Sequence, residues 1–151
     1  MPIYDGSTVR GYLEGLRMSA LMQSRIEEFV AEYQTTIGEL PEFMFVENPI
    51  DALGGIDFSN LILLSGNMYV EFSLNQPGRT ITLLNIDKNV NRIVMSNLQQ
   101  STFNRRFTEN SRLTVQIFNS MEVIGFFEAS GENCSHLLEM LKSYFMPAIS
   151  G

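Results

Sequence analysis

The chain holds one histidine, His136, and one thiol, Cys134. A cysteine nucleophile needs a base it can touch, and by residue type these two are the candidates. Their spacing argues against the pairing, because side chains two apart on a helix point to different faces. Cys134 falls on an apolar stripe and reads as a buried small hydrophobe. His136 falls off that stripe and reads as a solvated helix residue. A serine nucleophile would need a strained elbow of the G-x-S-x-G type, and the sequence has none. Asp51 and Asp57 flank Gly54-Gly55 like a pair of acids, but the stretch NPIDALGGIDFSN reads as a solvated loop.

Other chemistries lack their residues. One His and one Cys cannot supply a structural zinc set, and no EF-hand or H-E-x-x-H pattern is present. The phosphate-cradling G-x-x-x-x-G-K-[ST] and the dinucleotide G-x-G-x-x-G are also missing. No cofactor is therefore expected, and no catalytic or metal-binding residue is assigned. One basic cluster stands out, Arg105, Arg106 and Arg112, with Phe103 and Phe107 interleaved and Arg92 and Lys88 as neighbours across strands. Such a cluster can contact phosphate, nucleic acid or an acidic peptide. It can equally be a charged edge strand that discourages aggregation. These five residues, Phe103, Arg105, Arg106, Phe107 and Arg112, are the candidate partner-binding set.

The totals narrow the partner. The net charge of -7 and pI near 4.6 disfavour non-specific contact with nucleic acid or anionic lipid. The start MPIYDGSTVRGYLEG lacks a basic residue run followed by an apolar one, so no signal peptide is expected. The longest apolar run, LILL, is too short to span a bilayer. With a single cysteine there is no internal disulfide, which fits a reducing compartment and a cytoplasmic protein. A chain of 151 residues suggests one domain, residues 1–151, able to bury a core without a staple.

The elements follow from periodicity. Met22, Ile26, Phe29, Val30, Tyr33 and Ile37 recur at spacings of three and four, and Gly38 and Pro41 mark a stop. This predicts a helical segment over about 9–38, with its stripe packed in the core or forming the seam of a homodimer. From Phe43 short stretches rich in β-branched and aromatic residues predict strands: FMFV, NLILLSG, NMYVEFSLN, RTITLLNID, NRIVMSNL, STFNRRFT, RLTVQIFN and EVIGFFEAS. Ser65-Gly66-Asn67, Asn75-Gln76-Pro77-Gly78 and Asn119-Ser120 read as turns, and such short links imply antiparallel pairing. Last, Cys134, Leu137, Leu138, Leu141, Tyr144 and Phe145 form a helical stripe, with Ser130 as the N-cap and Pro147 near the end. The fold class is α+β: a curved antiparallel sheet or small open barrel, with an N-terminal helix and a C-terminal amphipathic helix that caps it. The β-rich body and closing helix cover about 43–146.

The stretches NLILLSGNMYVEFSL and EVIGFFEASGENCSHLLEMLKSYF resemble a central hairpin and the last strand, turn and capping helix of the pleckstrin-homology-like superfold. The resemblance covers residues 43–145 and is one of element order. The chain has no tryptophan, where many such domains carry one in the closing helix. The basic first hairpin of the lipid-binding members is also missing, so the resemblance implies the fold and not lipid binding.

Three functions fit these residues. The first is a non-catalytic interaction or adaptor module that takes a protein or peptide at a sheet edge or a helix–sheet groove. Nine methionines suit an adaptable apolar surface. The second is a small acidic homodimeric chaperone or secretion partner joined through residues 22–37. The third is a small-ligand pocket lined by positions such as Phe58, Met95 and Phe127. The first is the expectation carried forward.

Overall fold

The computed structural model describes residues 6–49, 58–74, 81–86, 90–96, 107 and 111–150. Two helices come first, α1 (Gly6–Gly15) and α2 (Ala20–Ile37). The Ser19 hydroxyl caps α2 by accepting the Met22 N–H at 3.1 Å, which satisfies one of the free donors of the first turn. Gly38 ends the helix at φ 94°, and its N–H returns to the Gln34 carbonyl. An L side chain would be strained in that conformation.

Four strands then pair antiparallel in chain order: β1 (Phe43–Val46), β2 (Asn60–Ser65), β3 (Met68–Ser73) and β4 (Ile81–Asn85). The β2–β3 turn uses Gly66 at φ 56°. A second antiparallel sheet holds β5 (Arg92–Ser96), β6 (Arg112–Asn119) and β7 (Glu122–Ser130). Its tight turn follows Asn119, as the sequence predicts, with Ser120 at φ 56° and its N–H held by Asn91 Oδ1 at 2.9 Å. The chain closes with α3 (Asn133–Met140), a π-helical turn (Leu141–Phe145) and α4 (Met146–Ser150).

Period two explains the layers. On β1, Met44 and Val46 face one core while Phe43 and Phe45 face another; β2 splits Leu61 and Leu63 from Ile62 and Leu64 in the same way. The first core lies under α1 and α2, where Leu13, Ile26, Phe29, Val30 and Tyr33 are buried. The predicted α2 stripe is thus covered by its own sheet, which leaves a homodimer without that apolar seam. The second core lies between the two sheets and the closing helix, which contributes Cys134, Leu137, Met140, Leu141, Tyr144 and Phe145. The expected capped antiparallel body is present, divided into a four-stranded and a three-stranded sheet. The wider π turn lets neighbours Tyr144 and Phe145 both point inward.

One local expectation is corrected. Ser130 is not the N-cap of α3: it ends β7, and its hydroxyl donates to the Asn48 carbonyl at 2.7 Å. Helix α3 starts two residues later, after Glu132, which makes no side-chain cap bond. No helix among the described residues is long and apolar enough to cross a membrane.

Candidate functional site

A polar corner joins α1, β1, β7 and α3. Beyond Val46 the chain leaves its apolar alternation, and Glu47 and Asn48 reach across to the second sheet. Glu47 is only 3% exposed. Its Oε1 accepts from Asn60 Nδ2 at 2.6 Å and Ser59 Oγ at 3.0 Å, and its Oε2 accepts the Glu128 N–H at 2.8 Å. Asn48 Oδ1 accepts the Ser130 N–H at 3.0 Å. Asn133, the first residue of α3, donates through Nδ2 to the Val46 carbonyl and to Asn48 Oδ1, both at 2.8 Å. Tyr12 on α1 completes the corner: its hydroxyl donates to Asn133 Oδ1 at 2.7 Å and accepts the Val46 N–H at 2.9 Å. Burial pushes the Glu47 carboxyl up to about 7, against the opposing pull of its Asn60, Ser59 and Glu128 donors.

His136 overturns the solvated reading. Its ring stacks between Tyr12, at 4.0 Å between centroids, and Phe43, at 4.6 Å. Its Nε2 lies on the Met44 carbonyl oxygen, an acceptor only, so Nε2 carries the proton and donates. Burial lowers its pKa, and the Met44 bond and the Glu139 charge oppose the shift. A groove of about 330 Å³ runs beside it between α1 and α3, lined in part by Gly11, Tyr12, Asn133, His136 and Glu139.

The arrangement supplies few reacting atoms. Cys134 is buried in the second core, its Sγ donates to the Ala129 carbonyl at 3.5 Å, and burial pushes its thiol up to about 11, so it stays protonated. Both faces of the His136 ring are occupied. Glu47 is sealed from substrate. Among the described residues no group of three His, Cys, Asp or Glu side chains could hold a metal ion. Phe127 packs in the second core and Met95 against it, while Phe58 packs against the first, so these three do not line one pocket.

The outer face of the second sheet offers something else. The register sets Arg92 opposite Phe118 and Val123, and Val94 opposite Gln116 and Phe126. Phe126 is 45% exposed, alone among the described phenylalanines, and Met121 on the adjoining turn is 91% exposed. The Arg92 guanidinium lies 4.1 Å from the Phe118 ring centroid, a cation–π contact at the edge of the patch. Strand β5 is the outer strand of this sheet among the described residues, and Ile93, Val94 and Met95 are each only partly buried.

Of the predicted partner-binding set, only Phe107 and Arg112 lie within the described residues. Phe107 is 5% exposed and belongs to the second core, so its aromatic ring serves packing and not a partner. Arg112 is exposed at the start of β6, yet Arg92 pairs with Phe118 six residues further along. At 3.3 Å per residue the two arginines stand about 20 Å apart along the sheet. Phe103, Arg105, Arg106 and Lys88 lie outside the described residues, as do Asp51, Asp57 and the turn 75–78. The sequence reading missed Glu47, Asn48, Tyr12 and Phe126. Only Phe126 carried a signal, as the outward partner of Phe127 in an alternating strand.

No family model matches the chain, and no curated protein or solved structure matches it significantly.

Proposed function

We propose that the chain is a non-catalytic interaction module that receives an extended protein segment on β5 and the outer face of the second sheet. The observation that carries this is an edge strand, outermost in its sheet among the described residues, beside the exposed Val123 and Phe126. An added strand would pair with the edge of β5 that has no neighbour among the described residues and cover Ile93 and Met95, while its outward side chains would meet Val94 and the patch around Phe126. The buried thiol, the sandwiched imidazole and the sealed carboxyl support the non-catalytic reading.

The test is capture of partners by three purified proteins: wild type, Val123→Asp/Phe126→Asp, and Leu21→Asp. Leu21 is 83% exposed on α2, away from this sheet. All three are expected to keep the same circular dichroism and thermal midpoint. Wild type and Leu21→Asp should retain a common set of partners that the double variant loses. Equal capture by all three would refute the assignment of this face.

A further inference from the structure

Glu47 sits where the two sheets meet, and the contacts there are unusual in kind. Residues Glu128 and Ser130 of β7 are held to β1 largely by side chains: Glu47 takes one N–H, Asn48 Oδ1 takes the other, and the Ser130 hydroxyl returns to the Asn48 carbonyl. One backbone bond accompanies them, Asn48 N–H to the Glu128 carbonyl at 3.3 Å. The carboxyl is therefore part of the seam itself. Among the described residues it has three donors and no cation as partners. Burying a carboxylate without a counter-charge is unfavourable, and neutralising it by protonation is the ordinary way out.

We propose that the Glu47 carboxyl is a proton-operated clasp on the β1–β7 seam: the closed seam holds the proton, and releasing it loosens the corner where the two sheets join. Ser59 makes both states possible. A hydroxyl can donate to the carboxylate or rotate and accept from the protonated acid, so the 3.0 Å contact survives proton uptake. The amide donors Asn60 Nδ2 and Glu128 N–H keep lone pairs to bond in either state. The titratable groups on the surrounding elements are Tyr12 on α1, Tyr69 and Glu71 on β3, Glu128 on β7, and Glu132 and His136 at α3. Of these only the Glu71 charge bears on Glu47, and it favours the proton.

The sign follows from linkage. With the folded value near 7 and the ordinary value 4.5, the closed seam binds more protons than the open one between these limits. Its stability is complete below the lower value and is lost as pH rises through the upper one. Glu71, also raised by burial, acts in the same direction; His136, lowered, acts in the opposite one. A variant at Glu47 isolates its share.

The experiment measures amide hydrogen-exchange protection by NMR, corrected for intrinsic rates, at pH 5.5 and pH 8. The reporters are Glu128 and Ser130, with Val115 in β6 as the interior reference. Wild type should lose up to roughly 30-fold protection at the two seam amides over this span, with little change at Val115. Glu47→Gln should remove the pH dependence at the seam. A carbon-13 titration of the Glu47 carboxyl in the wild-type protein gives a second reading that needs no variant. A midpoint near 7 supports the clasp. A midpoint near 4.5, or the same pH dependence in Glu47→Gln, overturns it.

Discussion

Replacing Asn133 with alanine tests whether the polar corner holds the layers together. The side chain makes three hydrogen bonds: two from Nδ2, to the Val46 carbonyl and Asn48 Oδ1, and one accepted from Tyr12. A net contribution of about 1 kcal/mol each gives about 3 kcal/mol. The Val46 carbonyl is fully buried and loses this partner, and Tyr12 loses its acceptor, which adds about 1–2 kcal/mol of unmade bonding. The expected loss for Asn133→Ala is therefore about 4 kcal/mol, a large part of the stability of a typical domain. Urea unfolding followed by circular dichroism measures it as a lower midpoint at unchanged slope. Tyr12→Phe leaves the Val46 N–H without its acceptor and should lose about 2 kcal/mol. Because the two residues share one bond, the double variant should fall short of the sum by about 1 kcal/mol. Asn133→Asp keeps the shape but aims a carboxylate at two oxygens, and should be no better than alanine. A loss under about 1 kcal/mol for Asn133→Ala, or full additivity with Tyr12→Phe, would refute the bonding scheme.

Two other substitutions or treatments follow from burial. The Tyr144 hydroxyl is buried with no partner among the described residues, and burial pushes it up to about 12, so Tyr144→Phe should be neutral or stabilising by up to about 1 kcal/mol; a clear drop in thermal midpoint would mean that the hydroxyl is bonded. Cys134 should resist a disulfide reagent in the native protein at pH 8 and react fully in denaturant; rapid native labelling would contradict its place in the core.

What the sequence shows and what it hides divide along one line. Helix α2, the strand alternation at Leu113, Val115 and Ile117, and the apolar stripe of the closing helix are local patterns, legible because their period is set by the backbone. The polar corner is not local. Glu47 is buried by contacts with Glu128, 81 residues away, and Tyr12 meets Asn133 across 121 residues. In the sequence Glu47 and Asn48 simply lead into a proline and read as the end of a strand. His136 fell on the wrong side of the prediction for the same reason, since its two stacking partners lie in α1 and β1. Phe107 reads as exposed beside its arginines, and only the second core shows that it packs inward. The outer face of the second sheet was half legible: alternation beside Phe127 carried an unread signal for Phe126, but which face of a sheet the helices leave uncovered is not a local pattern.

The coating of the first sheet on both sides constrains how the chain comes together. During synthesis α1 and α2 leave the ribosome before the strands β1 to β3 that receive them. Ile26, Phe29, Val30 and Tyr33 must wait for the hairpin of β2 and β3 to arrive. The bond from Tyr12 to Asn133 waits longer still, until the closing helix has been made. The apolar face of α2 can thus be covered by the middle of the chain, while Tyr12 on α1 is among the last side chains to be fastened.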